Sequence, residues 1–315
     1  MFRPLLRKLY NAISFLDFPR VENEVEMLYK LLYNIAHDPE QAPNLISKQT
    51  REAFSHQWEN LKQGKGLLSD AGFKTRVSQI LSESELQIRP EWFAGKRVLD
   101  AGCGNGRWSY AFSQLGADLT CVDINPVAIE ETRQAISGFD NPQHFIVTPL
   151  EELGQHLDLQ VHFDLVFSWG VLHHAGSFNR SLRELLRLAG PDGIAYLYLY
   201  GRESLTYEND VRLFKERLRY NLLETEEERY AFLLRRAKGN HQMVHNLHDQ
   251  YAPLINRRLE FADVAAFLAA EGFADVKRTL DHSELFIRAM RRHDPDFYAR
   301  WVLPAPAKPY WFETL

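Results

Sequence analysis

VLDAGCGNGRW, residues 98–108, is the stretch on which the reading of this chain turns. A short apolar run, 97–101, reads as a buried strand carrying Asp100 near its end. Gly102, Gly104 and Gly106 follow at every second position. Glycines let the backbone bend sharply and approach a ligand without a Cβ in the way. A helix begins at once, so its free N–H groups face the same ligand. A second apolar run, 118–122, ends in Asp123, 23 residues after Asp100. A carboxylate there can accept both hydroxyls of a ribose. A dinucleotide site wants G-x-G-x-x-G, but Arg107 stands where the third glycine belongs, and Asp100 would repel a pyrophosphate. The same carboxylate favours a cationic ligand.

Working outward, short apolar runs at 144–147, 163–167 and 194–199 alternate with helical stretches at 108–115, 127–137 and 182–188. Two more strand-like runs, 273–279 and 284–290, follow the amphipathic helix 261–271, which Gly272 closes. This alternation predicts an α/β fold: a Rossmann-like, seven-stranded, mostly parallel sheet with helices on both faces. The core is expected over 91–201 and 259–290. Residues 1–90 read as a helical extension, with helices near 21–37, 48–62 and 73–85. Residues 202–258 read as a charged helical insertion. Residues 291–315, with four prolines among aromatics, read as an extended tail packed on the surface.

Composition narrows the function classes. The 315 residues suit one large domain or two modest ones. Lys plus Arg is 37 against 42 for Asp plus Glu, a net charge of −5 that argues against a broadly basic, nucleic-acid-binding surface. The two cysteines, Cys103 and Cys121, fall in segments read as buried, which suits reduced thiols and a cytoplasmic location. No apolar run reaches the roughly 18 residues of a membrane span. The N-terminal segment mixes Arg3, Arg7 and Lys8 with apolar residues; a helix packing on its own domain is expected there rather than a signal peptide.

The motifs taken together resemble the class I S-adenosylmethionine-dependent methyltransferases. DAGCGNG is similar to that family's motif I, VDINPVAIE to its second-strand motif, FDLVFSWGVLHH to its fourth-strand motif and LRLAGPDGIAYLYLY to its fifth strand with the loop before it. The resemblance covers about half the chain, in the family's order. It implies S-adenosylmethionine as cofactor, and a direct methyl displacement requires no metal. The acidic balance, and Ser168-Trp169-Gly170 in place of N-P-P-Y or D-P-P-Y after the fourth strand, favour a small-molecule acceptor and no nucleic acid. It also implies roles. Asp100 would attract the methionine ammonium, with Gly102, Cys103 and Gly104 lining the methionine part. Asp123 would hold the ribose and Ile124 pack on adenine, with Leu150 and Glu151 nearby. Ser168 and Trp169 would lie beneath the methyl group. His173 and His174, just after the fourth strand, are the candidate catalytic bases.

Two further clusters are candidate acceptor contacts. His245, His248, Asp249 and Tyr251 fall in the insertion, and Trp58 lies in the N-terminal region, where an aromatic can close over the donor. His241, His245 and His248 sit at helical spacing, but without a cysteine they read as polar contacts rather than metal ligands. A solvated helix end explains the same residues. Two alternative functions stay open. An RNA methyltransferase would need a basic face from Arg212, Lys215, Arg217, Arg219, Arg235 and Arg236. A non-catalytic cofactor-binding partner of another enzyme would bind without turnover.

Overall fold

The alternation of apolar runs and helices closes into one sheet. The computed structural model describes residues 18–61, 68, 70–158 and 162–306. Strands β1 (Arg97–Ala101), β2 (Asp118–Asp123), β3 (Gln143–Val147), β4 (Phe163–Trp169), β5 (Ala189–Leu199), β6 (Asp275–Arg278) and β7 (Leu285–Met290) lie in the order β3-β2-β1-β4-β5-β7-β6. β1 to β5 pair in parallel, and β7 runs antiparallel between β5 and β6. Strand order reverses between β1 and β4. In an open parallel sheet that reversal opens a crevice at the carboxyl ends of the strands.

The strands read as continuous apolar runs because both faces of the sheet are covered. On one face Phe167 and Tyr196 pack with Phe112 of α4 (Arg107–Gln114) and Ile129 of α5 (Pro126–Ile136). On the other, Val166 and Leu197 pack with Leu182 and Leu185 of α7 (Phe178–Arg187) and Leu268 of α11 (Phe261–Ala270). Phe112 and Phe167 meet edge to face at 5.1 Å, and each ring contributes about 2–3 kcal/mol by leaving water. In chain order the remaining helices are α1 (Phe18–Ala36), α2 (Asn44–Asn60), α3 (Ala71–Gln79), α6 (Leu153–His156), α8 (Tyr207–Asn221), α9 (Glu226–Arg236), α10 (Val244–Tyr251) and α12 (Pro295–Trp301).

The insertion forms a helical cap with its own small core of Tyr220, Phe232, Leu233 and Val244. Its charged stretch is a capping box. Thr225 Oγ1 accepts from the Glu228 N–H and the Glu228 carboxylate accepts from the Thr225 N–H, both at 3.2 Å. α1 joins the cap through Tyr33, Val211 and Phe214. α2 is fastened to it as well: Gln49 donates to the Ala252 carbonyl at 2.8 Å and accepts from the Leu254 N–H at 3.0 Å. Thr50 Oγ1 accepts from the Ile255 N–H at 3.0 Å.

Three expectations change. The tail is not extended throughout: residues 295–301 are helical, because Asp294 caps the first turn and Pro295 suits the first helical position. The third N-terminal helix, expected near 73–85, is not α-helical to its end. It runs on from α3 as a π-helical turn, Ile80–Leu86, which rotates Glu85 inward until it is fully buried. β5 starts five residues earlier than its apolar run, and the Gly-Pro-Asp-Gly segment is carried as a register shift against β4. The N-terminal segment 1–17 and the end of the tail, 307–315, lie outside the described residues. Among the described residues no helix is long and apolar enough to cross a membrane.

Candidate active site

The loop after β1 turns through Gly102, Gly104 and Gly106, each with positive φ. The neighbours of two of them are protein. A Cβ on Gly102 would stand 2.2 Å from the Val171 side chain, and one on Gly106 would stand 2.9 Å from the Thr132 backbone. Those two positions let the loop nest against the segment after β4 and against α5. Gly104 faces the lid instead, since its Cβ would lie 3.1 Å from the Trp58 ring. The N-terminal extension thus places an aromatic directly over the glycine turn.

Asp123 ends β2 beside that turn. Its carboxylate accepts from the Gly104 N–H at 3.0 Å and the Asn125 N–H at 2.8 Å, which fixes its direction and leaves lone pairs for further donors. Ile124 is 36% exposed, an apolar surface open beside it. Asp100 is buried and accepts from Ser109 Oγ at 2.6 Å. Burial first, with the Asp123 charge adding, pushes its carboxyl up to about 7, against the Ser109 hydrogen bond and Arg107. A glycine cradle and two carboxylates at adjacent strand ends form a donor set that fits S-adenosylmethionine. Asp123 would take the ribose hydroxyls, and Asp100 would face the cationic methionine end.

Other expected cofactor contacts are occupied by the protein itself. Ser168 is fully buried, and its hydroxyl donates to the Ala101 carbonyl at 3.0 Å, so it ties β4 to β1. Cys103 is buried against Thr132, and burial drives its thiol pKa well up. Leu150 sits in the second core cluster. Glu151 accepts from the Ser177 N–H at 3.1 Å, at the start of α7. Of the adenine-side residues, Ile124 is exposed and Glu151 half-buried.

From the end of β4 an aromatic wall leads toward the cap. Trp169 packs on Tyr198 at 4.3 Å, Tyr198 meets Tyr200 at 6.0 Å, and Tyr200 stacks on His173 at 3.9 Å. Tyr196, Tyr198 and Tyr200 share one face because side chains alternate along a strand. Beneath Trp169 lies Glu85, which accepts from Trp169 Nε1 at 3.3 Å and Tyr196 Oη at 2.9 Å. Burial raises its carboxyl to about 7, offset by those hydrogen bonds.

The two histidines expected as bases stand behind this wall. His173 is fully buried, and neither ring nitrogen has a hydrogen-bond partner. Burial, with His174 and nearby arginines adding, holds it neutral, well below the ordinary histidine range. His174 bonds the Ile255 carbonyl through Nδ1 at 2.7 Å and packs edge to face on Phe54. Burial lowers it to about 3. What looks out from the wall is Tyr200, Tyr198 and Trp169, each only partly covered.

The cap supplies the opposite side. Gln57, buried near the end of α2, donates to Asp249 Oδ1 at 2.5 Å and meets His245 Nε2 at 3.1 Å. Trp58 lies edge-on to His245 at 6.3 Å. These contacts bring Trp58, His245 and Asp249 together. His248 and Tyr251 go elsewhere: His248 is buried beside the His56 ring, and Tyr251 packs on Phe232 and Arg236 inside the cap. Burial raises the Asp249 carboxyl to about 7, against Gln57 and Arg107. Arg107, Tyr198, Tyr200 and Asp249 all show burial-driven shifts while keeping part of their surface uncovered, which marks the walls of an internal chamber.

The α10 segment does not continue through His241, which lies in a separate turn, His241–Met243. Among the described residues no three His, Cys, Asp or Glu side chains are arranged to hold a metal ion. The insertion presents no uniform basic face. Arg217 is fully buried, Lys215 pairs with Glu26, and Arg219 and Arg236 pair with Glu216.

Residues 99–197, from the glycine turn to the body of β5, match a family model described as a methyltransferase domain. Over that stretch the chain is similar to methyltransferase domains. Among curated proteins it is similar to a ubiquinone biosynthesis O-methyltransferase of Pseudomonas entomophila (strain L48). The two are 30% identical over 158 residues, 50% of this chain and 63% of that protein. It is also similar to the mitochondrial ubiquinone biosynthesis O-methyltransferase of Schizosaccharomyces pombe, 31% identical over 42% of this chain and 50% of that one. The chain therefore spans less than two thirds of these relatives. A solved Burkholderia thailandensis 1,6-didemethyltoxoflavin-N1-methyltransferase is 19% identical, with a TM-score of 0.46 over 80% of this chain and 90% of its own.

Four residues of the chamber were not singled out from sequence as site residues: Gln57, Glu85, Arg107 and Tyr200. The alternating tyrosines at 196, 198 and 200 were a readable signal for the last. Glu85 had none, because its burial depends on the π-helical turn.

Proposed function

We propose that this protein transfers a methyl group from S-adenosylmethionine to an oxygen, nitrogen or carbon atom of a small molecule held between the aromatic wall and the cap. The observation that carries this reading is the oriented Asp123 carboxylate beside a glycine turn, roofed by Trp58. When bound, the cofactor supplies an electrophilic methyl carbon on a positively charged sulfur. The residues mostly align and enclose, since the leaving group is already good. Asp123 holds the ribose edge, Asp100 favours the cationic end, and Trp58 excludes water from the turn.

For a hydroxyl or ammonium acceptor a proton must leave. That proton would pass to a side chain of the chamber. Asp249 is the group we assign. It keeps part of its surface uncovered, Gln57 positions it, and a carboxyl near 7 suits general-base work at neutral pH. His173 then acts from behind, as a neutral ring that holds Tyr200 in the wall.

The test is calorimetry of the ligand-stripped chain with S-adenosylhomocysteine, followed by transfer of isotope-labelled methyl from S-adenosylmethionine into a small-molecule extract. Micromolar binding and a labelled low-mass product support the reading. No heat with S-adenosylhomocysteine, alongside clean titration by a nicotinamide dinucleotide, would overturn it.

A further inference from the structure

Arg107 opens α4 directly after Gly106, at the junction of donor turn and chamber. Its guanidinium lies over the Trp169 ring at 4.5 Å and over Trp108 at 4.9 Å. Among the described residues no carboxylate reaches it within ion-pair distance and no acceptor hydrogen-bonds it. The groups whose charges bear on it are Glu85, Tyr198, Asp100 and Asp249; Asp123 is not among them. Its position over Trp169 turns the side chain toward β4.

A guanidinium placed over indole rings spends no N–H on them, and its N–H fork matches a carboxylate with two parallel hydrogen bonds. Two positive charges in one low-dielectric chamber, this one and the sulfonium of a bound donor, also repel unless an anion joins them. The surrounding acids do not fill that role well. Asp249 is engaged by Gln57 and Glu85 by Trp169 and Tyr196.

We propose that Arg107 is a carboxylate-binding site and that the acceptor of this enzyme is a carboxylate-bearing small molecule anchored there. The inference rests on the methyl-transfer reading above and names the substrate class for the same chamber. The carboxylate is the anchor. The methylated atom lies elsewhere on the acceptor, within reach of Asp249.

The experiment uses the full chain saturated with S-adenosylhomocysteine and titrates benzoate and its neutral analogue benzamide by calorimetry, in wild type, Arg107→Gln and Arg107→Lys. Benzoate should bind about tenfold or more tighter than benzamide, the difference a charge-assisted hydrogen bond supplies. Arg107→Gln should abolish that preference, and Arg107→Lys should keep part of it. Crystals soaked in bromide should show an anomalous peak against the guanidinium. A cofactor carboxylate is separated by comparing S-adenosylhomocysteine with its decarboxylated analogue. If Arg107→Gln erases the difference between those two compounds, the site belongs to the donor and the inference is overturned. Equal binding of benzoate and benzamide, no binding of either, or no halide at Arg107 overturns it too. Failure of S-adenosylhomocysteine to bind wild type is a different result, which sinks the methyl-transfer reading itself.

Discussion

The sheet side and the cap side of the chamber are held in different ways. On the sheet side the two key carboxylates are already held, Asp123 by the Gly104 and Asn125 N–H groups and Asp100 by Ser109. Toward the cap, buried polar atoms stay without partners: both nitrogens of His173, Nδ1 of His248 and Oδ1 of Asn256. Polar groups left unpaired in the interior are costly and are kept where a ligand or a motion uses them. The contrast teaches that the two strand-end carboxylates are oriented by nearby N–H and O–H groups, whereas unpaired polar atoms lie on both sides, at Glu85 Oε1, Trp108 Nε1 and Asn125 Nδ2 as well as at His173.

The sharpest way to break this contrast is Asp123→Ala. With Asp123 in the proposed role of ribose acceptor, its loss should weaken S-adenosylhomocysteine about a thousandfold by calorimetry. Retained micromolar affinity would mean that the donor half does not rest on that carboxylate.

Glu85→Gln probes the sheet side through pH. A carboxyl raised from 4.5 to about 7 keeps its proton in the folded chain after the unfolded chain has released it. Wild-type stability is therefore lost as pH rises from 4.5 through 7, and Gln escapes that loss. In urea unfolding the variant should gain up to about 3 kcal/mol on wild type between pH 4.5 and 8. The imidazoles of His174 and His248, lowered to about 3, act with the opposite sign and lose stability as pH falls below 6.5. A flat difference between the two proteins would show that Glu85 ionises freely.

Asp249→Asn should cut turnover about a hundredfold and remove the acid limb of the pH–rate profile near pH 7. A His173→Ala variant with that limb intact would confirm where the proton goes; a limb that vanishes with His173 instead would reverse the assignment. The smallest effect expected is for Trp58→Ala. Loss of the ring over Gly104 should weaken donor binding about tenfold, in line with a single aromatic contact.

The sheet half was legible because its information is local. Glycines at fixed spacing, strand-end aspartates and apolar runs each report their own conformation, so the glycine turn, Asp123 and the strand sequence could be read residue by residue. The cap half depends on contacts between distant segments. Nothing near Gln57 in sequence signals that it meets Asp249, and Arg217 reads as one more surface charge although it is fully buried. The position of Ser168 near the end of β4 was legible, but not that its hydroxyl turns back to Ala101. The histidine pair marked the correct loop, but the outward-facing ring of that region belongs to Tyr200.

The fastening of α2 to the cap by Gln49 and Thr50 also sets a timetable for biogenesis. Their partners, Ala252, Leu254 and Ile255, emerge from the ribosome some 200 residues later. At about 5–20 residues per second the N-terminal helices wait roughly 10–40 s for their seat. During that interval the nascent chain already contains β1 through β5, so a nucleoside could dock on an unroofed cradle before the acceptor chamber exists.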